Sequence, residues 1–189
     1  MNVEQDIQES LRVLKSGGII LYPTDTIWGI GCDATNEKAV EKIYSLKQRP
    51  EEKAMIVLLA AERDLISYVS ALDIEVFNYL ETIQKPTTII YQGAIGLAPN
   101  IINKDGSIAI RIVKEEFCKH LIKRLGKPLV STSANFSGKP SPIVFKDIDP
   151  LLSKHVDYCV NYRQNEATQS QPSSIVKWNK DRTVTVIRP

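Results

Sequence analysis

The sequence PLVSTSANFSGKPSP occupies residues 128–142 and changes in character partway along. It begins with the apolar pair Leu129 and Val130 and continues with small hydroxyl and amide side chains, among them Ser131, Ser133 and Asn135. A strand that ends in such residues leaves hydroxyls and backbone N–H groups free to bind a ligand. The same pattern is also typical of an ordinary polar loop after a strand, so the rest of the chain has to decide between these interpretations.

The composition is that of an ordinary soluble globular protein. The 189 residues are 43% hydrophobic and 24% charged, with a formal net charge of +2. A chain of this length can bury a full core as a single domain, residues 1–189, and it is not basic enough for charge alone to indicate a nucleic-acid-binding protein. The three cysteines have no C-x-x-C spacing, the two histidines have no ligand at metal-binding spacing, and the first residues contain no apolar signal segment. We therefore expect a cytoplasmic protein without a disulfide framework, a structural zinc site or a membrane span.

Short strands alternate with amphipathic helices along the chain, which indicates the α/β (α+β) class. The apolar patterns and their Gly, Pro and Asn stops predict helices at residues 3–14, 35–46, 62–69, 74–83, 115–125 and 146–154. They predict strands at residues 18–22, 27–32, 55–59, 86–91, 107–113, 128–130, 158–162, 173–178 and 183–187. Two pairs of strands are close enough in sequence to form hairpins, whereas helices separate several of the others. We expect a mixed, twisted β-sheet flanked by helices, with residues 163–171 as a mobile loop.

Two cations, Lys47 and Arg49, stand two residues apart where a predicted helix runs into Pro50. In an extended segment, side chains two residues apart point the same way, so the pair would suit a polyphosphate. Positive charge at the end of a helix also complements the helix dipole, which is the alternative explanation.

Two further segments place polar side chains among apolar strands. Arg111 lies within the strand sequence SIAIRIV, and a buried arginine is costly unless it is paired or bound to an anion. We expect either a structural ion pair or an anion-binding role for it. Thr24 and Thr26 have side chains on one face of an extended segment, close to the glycines of GIG at residues 29–31. A glycine in a strand often marks the close approach of another backbone or of a ligand.

The common nucleotide-binding and catalytic motifs are absent, since the sequence contains no GxGxxG, Walker lysine loop, HExxH or GxSxG. A Ser/His/Asp triad would need His120 or His155, which lie in or near predicted helices, and we discount it. What remains is a set of strand ends rich in Thr and Ser, together with isolated cations: Lys47, Arg49, Lys53, Arg111, Lys139 and Arg188. These groups suit the binding of a nucleoside triphosphate without a P-loop.

Taken together, these segments resemble the YrdC/Sua5 family of threonylcarbamoyl-AMP synthases, in the short form without an added C-terminal domain. The resemblance runs from about residue 10 to the end of the chain, in the order of the family motifs. It rests on YPTDT (22–26), GIG (29–31), KQRP (47–50), SIAIR (107–111), STSANFSG (131–138), PSP (140–142), SSIV (173–176) and IRP (187–189). It implies a mixed sheet of YrdC/RibB-like fold with a concave, positively charged cleft.

The resemblance also implies a reaction and a site. The reaction converts L-threonine, bicarbonate and ATP to threonylcarbamoyl-AMP and pyrophosphate for the t6A modification of tRNA, so the protein would be a nucleotidyltransferase. The implied catalytic residues are Lys47, Arg49, Ser133 and Asn135. The implied ATP-binding residues are Arg49, Lys53, Ser107, Ser133, Ser141 and Arg188, and the implied threonine-binding residues are Thr26, Leu58, Arg111, Ser131 and Ser174.

The family chemistry needs positioning and charge neutralisation more than a strong general base. In this scheme Lys47 and Arg49 bind the phosphates together with Mg²⁺, and Arg111 holds the threonine carboxylate. Ser133 and Asn135 orient the carbamate and the α-phosphate. No tightly bound protein metal is expected, and the further partners are tRNA and the downstream threonylcarbamoyl transferase machinery.

The sequence departs from the family pattern mainly on the threonine side. Ala54 and Leu58 stand where proline and histidine are usual, and Ser174 replaces a threonine. The usual Trp-Pro-Gly before the third strand and the glycine after Pro189 are missing. Two alternatives remain: a double-stranded RNA or tRNA-binding module of the same fold without synthase activity, and a paralogue with another small-molecule reaction. The first does not explain the K-x-R and S-x-N pairs, and the intact pairs argue against the second.

Overall fold

The computed structural model covers residues 2–48, 55–70, 72–168 and 171–189, and within them nine strands form one mixed sheet. The strands are β1 (Ile20–Tyr22), β2 (Gly29–Gly31), β3 (Ile56–Leu59), β4 (Thr87–Gln92), β5 (Ser107–Ile112), β6 (Leu129–Ser133), β7 (Tyr158–Cys159), β8 (Ser174–Trp178) and β9 (Val184–Arg188). Their order across the sheet is β7-β1-β2-β6-β3-β5-β4-β8-β9. The neighbours β1 and β7, β3 and β5, and β4 and β8 are parallel, and the other neighbouring pairs are antiparallel.

The described ranges contain five α-helices: α1 (Val3–Lys15), α2 (Glu37–Lys47), α3 (Glu75–Thr82), α4 (Glu116–Leu125) and α5 (Pro150–His155). Short 3₁₀ helices occur at Glu62–Ser67, Pro99–Ile101 and Phe145–Asp147. Asn2 and Asn36 cap α1 and α2, because each side-chain oxygen accepts a hydrogen bond from a backbone N–H of the first turn. Across the described ranges, none of the helices has the length and apolarity needed to span a bilayer.

The core consists of two hydrophobic clusters on opposite faces of the sheet. Successive side chains of a strand point to opposite faces, so Val57 of β3 enters one cluster and Leu58 enters the other. The first cluster includes Val40 and Ile43 of α2, and the second includes residues of α1 and α4 such as Phe117. The helices therefore cover both faces, and they leave the ends of several strands for a site.

The structure confirms the predicted class, a mixed twisted sheet with helices on its faces, and both predicted hairpins, β1–β2 and β8–β9. The predicted helix at 146–154 is interrupted, because Pro150 begins α5 and Asp149 caps it through a hydrogen bond from Leu151 N. The predicted strand at 158–162 ends at Cys159, since the following residues turn to bond Asp6. The predicted helix at 62–69 is a 3₁₀ helix at Glu62–Ser67.

The predicted mobile loop, residues 163–171, is only partly described. Its first residue, Arg163, has a left-handed backbone conformation with φ of 67°. The Arg163 guanidinium donates hydrogen bonds to the Glu166 carboxylate and to the carbonyl oxygen of Thr24. Residues 169 and 170 lie outside the described residues. The mobility of this loop stays a prediction.

Candidate active site

A cavity of about 300 Å³ opens where several strands begin or end. It is bordered by the turn before β2, the starts of β3 and β8, the middle of β4 and β5, and the ends of β6 and β9. Its polar lining is contributed by Thr26, Asn103, Arg111, Ser131, Thr132, Ser133, Ser141, Ser173 and Arg188. Trp28, Met55, Ile56, Ile90, Ala109, Ile175 and Ile187 contribute apolar walls. Hydroxyls and two guanidinium groups in a partly apolar cavity are suited to a small anionic ligand.

Close approach of strands forms one wall of this cavity. A side chain at Gly31 would collide with the carbonyl oxygen of Val130 and with the ring of Tyr22, so β2 needs a glycine there to pair between β1 and β6. Gly29 lies against the Ser131 hydroxyl and itself lines the cavity. The GIG sequence therefore marks close backbone approach, as its composition predicts.

Arg111 forms the structural ion pair that its sequence position allows, and it also borders the cavity. Its side chain is 3% exposed, and Nη2 lies 3.1 Å from Oδ1 of Asp25, which is itself 8% exposed. The other carboxylate oxygen, Oδ2, accepts a hydrogen bond of 3.1 Å from Lys114 N. Arg111 also lines the cavity, so the guanidinium is held by a structural ion pair at the edge of a ligand-sized space.

Asp25 is the partner of Arg111 that sequence reasoning missed. The signal was present, since a buried arginine requires a counter-ion and Asp25 directly precedes Thr26 in the YPTDT motif. What the sequence did not show was that the β1–β2 turn meets the end of β5.

Thr24 and Thr26 are joined by hydrogen bonds, and Thr26 lines the cavity. The Thr24 hydroxyl donates to the carbonyl oxygen of Ile27 at 2.8 Å and accepts from Thr26 N at 3.0 Å. Because this hydroxyl has one proton, the contact of 2.9 Å between the two threonine oxygens requires Thr26 to be the donor. The Thr26 oxygen then keeps lone pairs, so a ligand that meets Thr26 in the cavity is favoured to offer it a donor.

Lys47 is buried at the end of α2 with 1% of its surface exposed. Its ammonium donates hydrogen bonds to the carbonyl oxygens of Ser133 and Asn135, and Ser137 N donates to the Lys47 carbonyl at 3.0 Å. These contacts fasten the loop after β6 to α2. The structure thus brings Lys47 to Ser133 and Asn135, as the implied catalytic set requires, although the described cavity lining does not include Lys47. Its phosphate contact stays a prediction.

Asn135 also acts within the loop. Its Oδ1 accepts a hydrogen bond from the Ser133 hydroxyl, and its amide nitrogen donates to the carbonyl oxygens of Phe136 and Lys139. Ser133 lines the cavity, whereas Asn135 is not among the lining residues. Within the described contacts, Asn135 therefore orients the Ser133 hydroxyl and shapes the loop.

The other implied residues fall into three groups. Thr26, Arg111, Ser131, Ser133, Ser141 and Arg188 line the cavity. Arg49 and Lys53, together with Ala54, lie outside the described residues, so their roles stay predictions. Leu58, Ser107 and Ser174 do not line the cavity.

Each residue of the last group has a physical reason to be elsewhere. Leu58 has no exposed surface and packs in the cluster beneath α1 and α4. Ser107 bonds Asp105 through both its N–H (3.0 Å) and its hydroxyl (2.6 Å), and Asn103 lines the cavity nearby. Ser174 points to the other face of β8 from Ser173, and it is Ser173 that lines the cavity.

Arg188 is the second arginine of the cavity, at the end of β9. Its Nε and Nη2 donate to the Ser173 carbonyl oxygen at 3.0 and 2.7 Å. Partial burial and the nearby positive charge of Arg111 lower the pKa of its guanidinium. The two cations are therefore close enough to repel each other, and an anion bound in the cavity would relieve that repulsion.

A magnesium ion would have no carboxylate ligand among the described lining residues, which include neither Asp nor Glu. No cluster of three or more His, Cys, Asp or Glu side chains occurs within the described part of the chain. Protein-bound Mg²⁺ usually takes one or two carboxylates in addition to substrate phosphates. The residues present do not form a metal site, so we assign no step of the chemistry to the ion.

Comparison with known proteins gives the family. A family model named for Sua5, YciO and YrdC, and described as telomere recombination, matches residues 12–189. The threonylcarbamoyl-AMP synthase of Photobacterium profundum is 33% identical over 154 residues, which is 80% of this chain and 83% of that protein. The putative threonylcarbamoyl-AMP synthase of Methanocaldococcus jannaschii is 33% identical over 187 residues, which is 97% of this chain and 87% of that protein.

Solved structures give the same fold. The crystal structure of P. abyssi Sua5 complexed with L-threonine superposes with a TM-score of 0.84 at 20% identity, covering 100% of this chain and 55% of that chain. The structure of E. coli YciO superposes with a TM-score of 0.83 at 23% identity, covering 99% of this chain and 89% of that chain. This chain therefore spans little more than half of P. abyssi Sua5. From the family model and the identity to the curated relatives, we conclude that the chain belongs to the Sua5/YciO/YrdC family.

Proposed function

We propose that this protein is an L-threonylcarbamoyladenylate synthase, a nucleotidyltransferase that acts in the cytoplasm for the t6A modification of tRNA. The observation that carries the proposal is the cavity in which Arg111, Arg188 and a set of hydroxyl groups converge. Relatives that are about one-third identical over most of their length are named threonylcarbamoyl-AMP synthases, which supports this function over an RNA-binding module without chemistry.

The threonine end of the cavity would lie at Arg111 and Thr26. The guanidinium of Arg111 can donate a charge-assisted hydrogen bond to the threonine carboxylate. The Thr26 oxygen, which donates its proton to Thr24, can accept a hydrogen bond from the threonine hydroxyl or amino group. Ser131 and Ser173 provide further hydroxyls in the cavity lining.

The phosphate end would lie at Arg188, Ser133 and Ser141, with Arg49 and Lys53 as predicted additions outside the described residues. Ser133 is oriented by Asn135 and by the Lys47 clamp, so its hydroxyl and the neighbouring backbone have a fixed direction. Fixed donors that need no reorganisation are the main source of electrostatic stabilisation in such a reaction.

The chemical step would be an in-line displacement. Threonine and bicarbonate combine to a carbamate with loss of water, a carbamate oxygen attacks the α-phosphorus of ATP, and pyrophosphate leaves. A carbamate is already anionic, so the displacement needs positioning more than a base. Neither His120 nor His155 lines the cavity, which agrees with this scheme.

The proposal is tested by the release of pyrophosphate from ATP by the purified protein. We expect release that requires both L-threonine and bicarbonate. Arg188→Ala should raise the ATP concentration needed for half-maximal rate about 10-fold. Arg182→Ala is the matched control, because Arg182 lies in the same hairpin, pairs with Asp73 and is outside the cavity.

Pyrophosphate release without threonine, or ATP binding with no threonine-dependent release, would contradict the synthase function. A contact with tRNA and a hand-over to the downstream threonylcarbamoyl transferase machinery are further parts of the proposal. If the protein has no synthase activity and its affinity for RNA rises steeply as the salt concentration is lowered, the binding-module alternative is favoured instead.

A further inference from the structure

The two arginines of the cavity differ in their electrostatic surroundings. Arg111 is almost fully buried and has the carboxylate of Asp25 at 3.1 Å. Arg188 has no ion-pair partner among the described residues and is bonded instead to the neutral carbonyl of Ser173. One arginine of the cavity thus has a charge that is largely compensated, and the other has a charge that is not.

The ion pair also restricts which nitrogen of Arg111 can meet a ligand. Nε and Nη2 are both closed to solvent, and neither has a hydrogen-bond partner in the described structure. Nη1 is therefore the guanidinium nitrogen left to face the cavity that Arg111 lines. The hydrogen bond from Lys114 N also holds the Asp25 carboxylate, so its position does not depend on Arg111 alone.

A fixed negative charge behind Arg111 has an unequal effect on different anions. Both the attraction to Arg111 and the repulsion from Asp25 grow in proportion to the charge of the ligand, whereas the cost of removing the ligand from water grows faster than its charge. A carboxylate with one charge can still bind favourably beside the Arg111–Asp25 pair. For a phosphate with nearly two charges, the cost of desolvation exceeds the attraction to Arg111, which Asp25 weakens.

We infer that Asp25 is a specificity-determining residue, which reserves the Arg111 end of the cavity for a singly charged carboxylate and excludes phosphate from it. The inference rests on the proposed function, in which threonine and ATP must lie in one cavity in a single orientation. A triphosphate that bound at the Arg111 end would block the amino acid. The uncompensated Arg188 end remains the favourable place for phosphates.

A variant that gains a wrong ligand tests this inference, because damage to the fold cannot produce such a gain. Asp25→Asn keeps the size of the side chain and removes its charge. We expect the dissociation constant of inorganic phosphate, measured by calorimetry in competition with L-threonine, to fall at least about 10-fold relative to the wild type. Asp33→Asn is the matched control, since Asp33 is also a buried carboxylate in an ion pair, with Lys127 at 2.9 Å, but lies outside the cavity.

The wild-type protein provides a second measurement, should Asp25→Asn fail to fold. Inorganic phosphate should compete with ATP in the wild type and leave the threonine affinity unchanged. Competition between phosphate and threonine in the wild type would overturn the inference. So would a folded Asp25→Asn protein whose phosphate affinity is unchanged or weaker. If the wild type binds no threonine at all, it is the proposed function that fails.

Discussion

Lys47 and Asp6 are both buried charges at helix ends, and each fastens a distant loop, but the loops differ in what they do. Lys47 lies in the last turn of α2 and donates to carbonyl oxygens of Ser133 and Asn135. Asp6 lies in the first turn of α1, and its carboxylate accepts hydrogen bonds from the hydroxyl of Tyr158 and from the backbone N–H groups of Asn161 and Tyr162. Each charge also has the sign that the helix dipole favours at its end.

The difference is that only the Lys47 loop lines the cavity. The turn held by Asp6 reaches the site only indirectly, through Arg163 and the carbonyl of Thr24. Burial and hydrogen bonding alone therefore do not identify a functional residue. We expect the same construction to serve activity beside the cavity and stability away from it, because only the Lys47 loop borders the cavity.

The largest effect is expected from Lys47→Met, which keeps the volume of the side chain but removes the ammonium. Two loop carbonyls lose their donor and Ser133 loses its fixed position, so threonine-dependent pyrophosphate release should fall about 100-fold. Lys42→Met is the control, since Lys42 lies on the same helix with an exposed side chain that bonds the carbonyl of Gly17.

The affinity for ATP separates the two roles of Lys47. If Lys47 acts only as a clamp, the Lys47→Met protein should bind ATP within about 3-fold of the wild type, by the usual scatter of effects away from a contact. A loss of 10-fold or more in ATP affinity would favour the direct phosphate contact that the sequence predicts.

Asp6→Asn should affect stability and leave the site nearly intact. The substitution replaces a charged acceptor with an amide whose NH₂ group faces donors, so the free energy of unfolding should fall by about 2–3 kcal/mol. Urea unfolding of Asp6→Asn against Glu9→Gln, an exposed acid on the same helix, measures this. An Asp6→Asn protein of normal stability, or one whose activity falls as far as that of Lys47→Met, would contradict the distinction between the two anchors.

The smallest effect is the acid dependence of the Asp6 anchor. Burial alone would raise the pKa of Asp6, but hydrogen bonds from Tyr158, Asn161 and Tyr162 together outweigh it and lower the pKa below its ordinary value. A carboxylate with a lower pKa in the folded state contributes stability that is complete above the unfolded pKa, about 3.9, and is lost as the pH falls through the folded value.

The wild type and Asp6→Asn should therefore differ in unfolding free energy by a constant amount above about pH 5, and the difference should narrow only below about pH 4. Thermal unfolding over this range measures it. Narrowing that began near neutral pH would show that burial dominates and that the pKa of Asp6 is raised.

Much of the site was predictable because its residues lie in local sequence patterns. The change from apolar to hydroxyl side chains after Val130 predicted the end of a strand there. That boundary was wrong, because β6 continues to Ser133 by pairing with β2 and β3, but Ser131 and Ser133 do line the cavity. Arg111 stood out because a charged residue in an apolar strand needs a partner. Contacts between distant segments were not predictable: the pairing of Arg111 with Asp25, and the burial of Lys47 against the β6 loop.

The sequence also did not predict which of two nearby residues on a strand lines the cavity. Ser173 and Ser174 are adjacent and chemically alike, but they point to opposite faces of β8, so only the register of the strand decides which one meets a ligand. Leu58 shares a face of β3 with Ile56, yet it lies deeper in the core, and only Ile56 reaches the cavity.

Local sequence patterns were enough to predict the mixed α/β class, both hairpins and the hydroxyl side chains near strand ends, because hydrophobic periodicity and Gly and Pro signals act over a few residues. The tertiary structure alone decided which charges face one another. Asp25 and Arg111, or Lys47 and the carbonyls of Ser133 and Asn135, meet only when the strand order of the sheet is in place. Electrostatic partners are chosen by distance in space, and a local pattern holds no information about that distance.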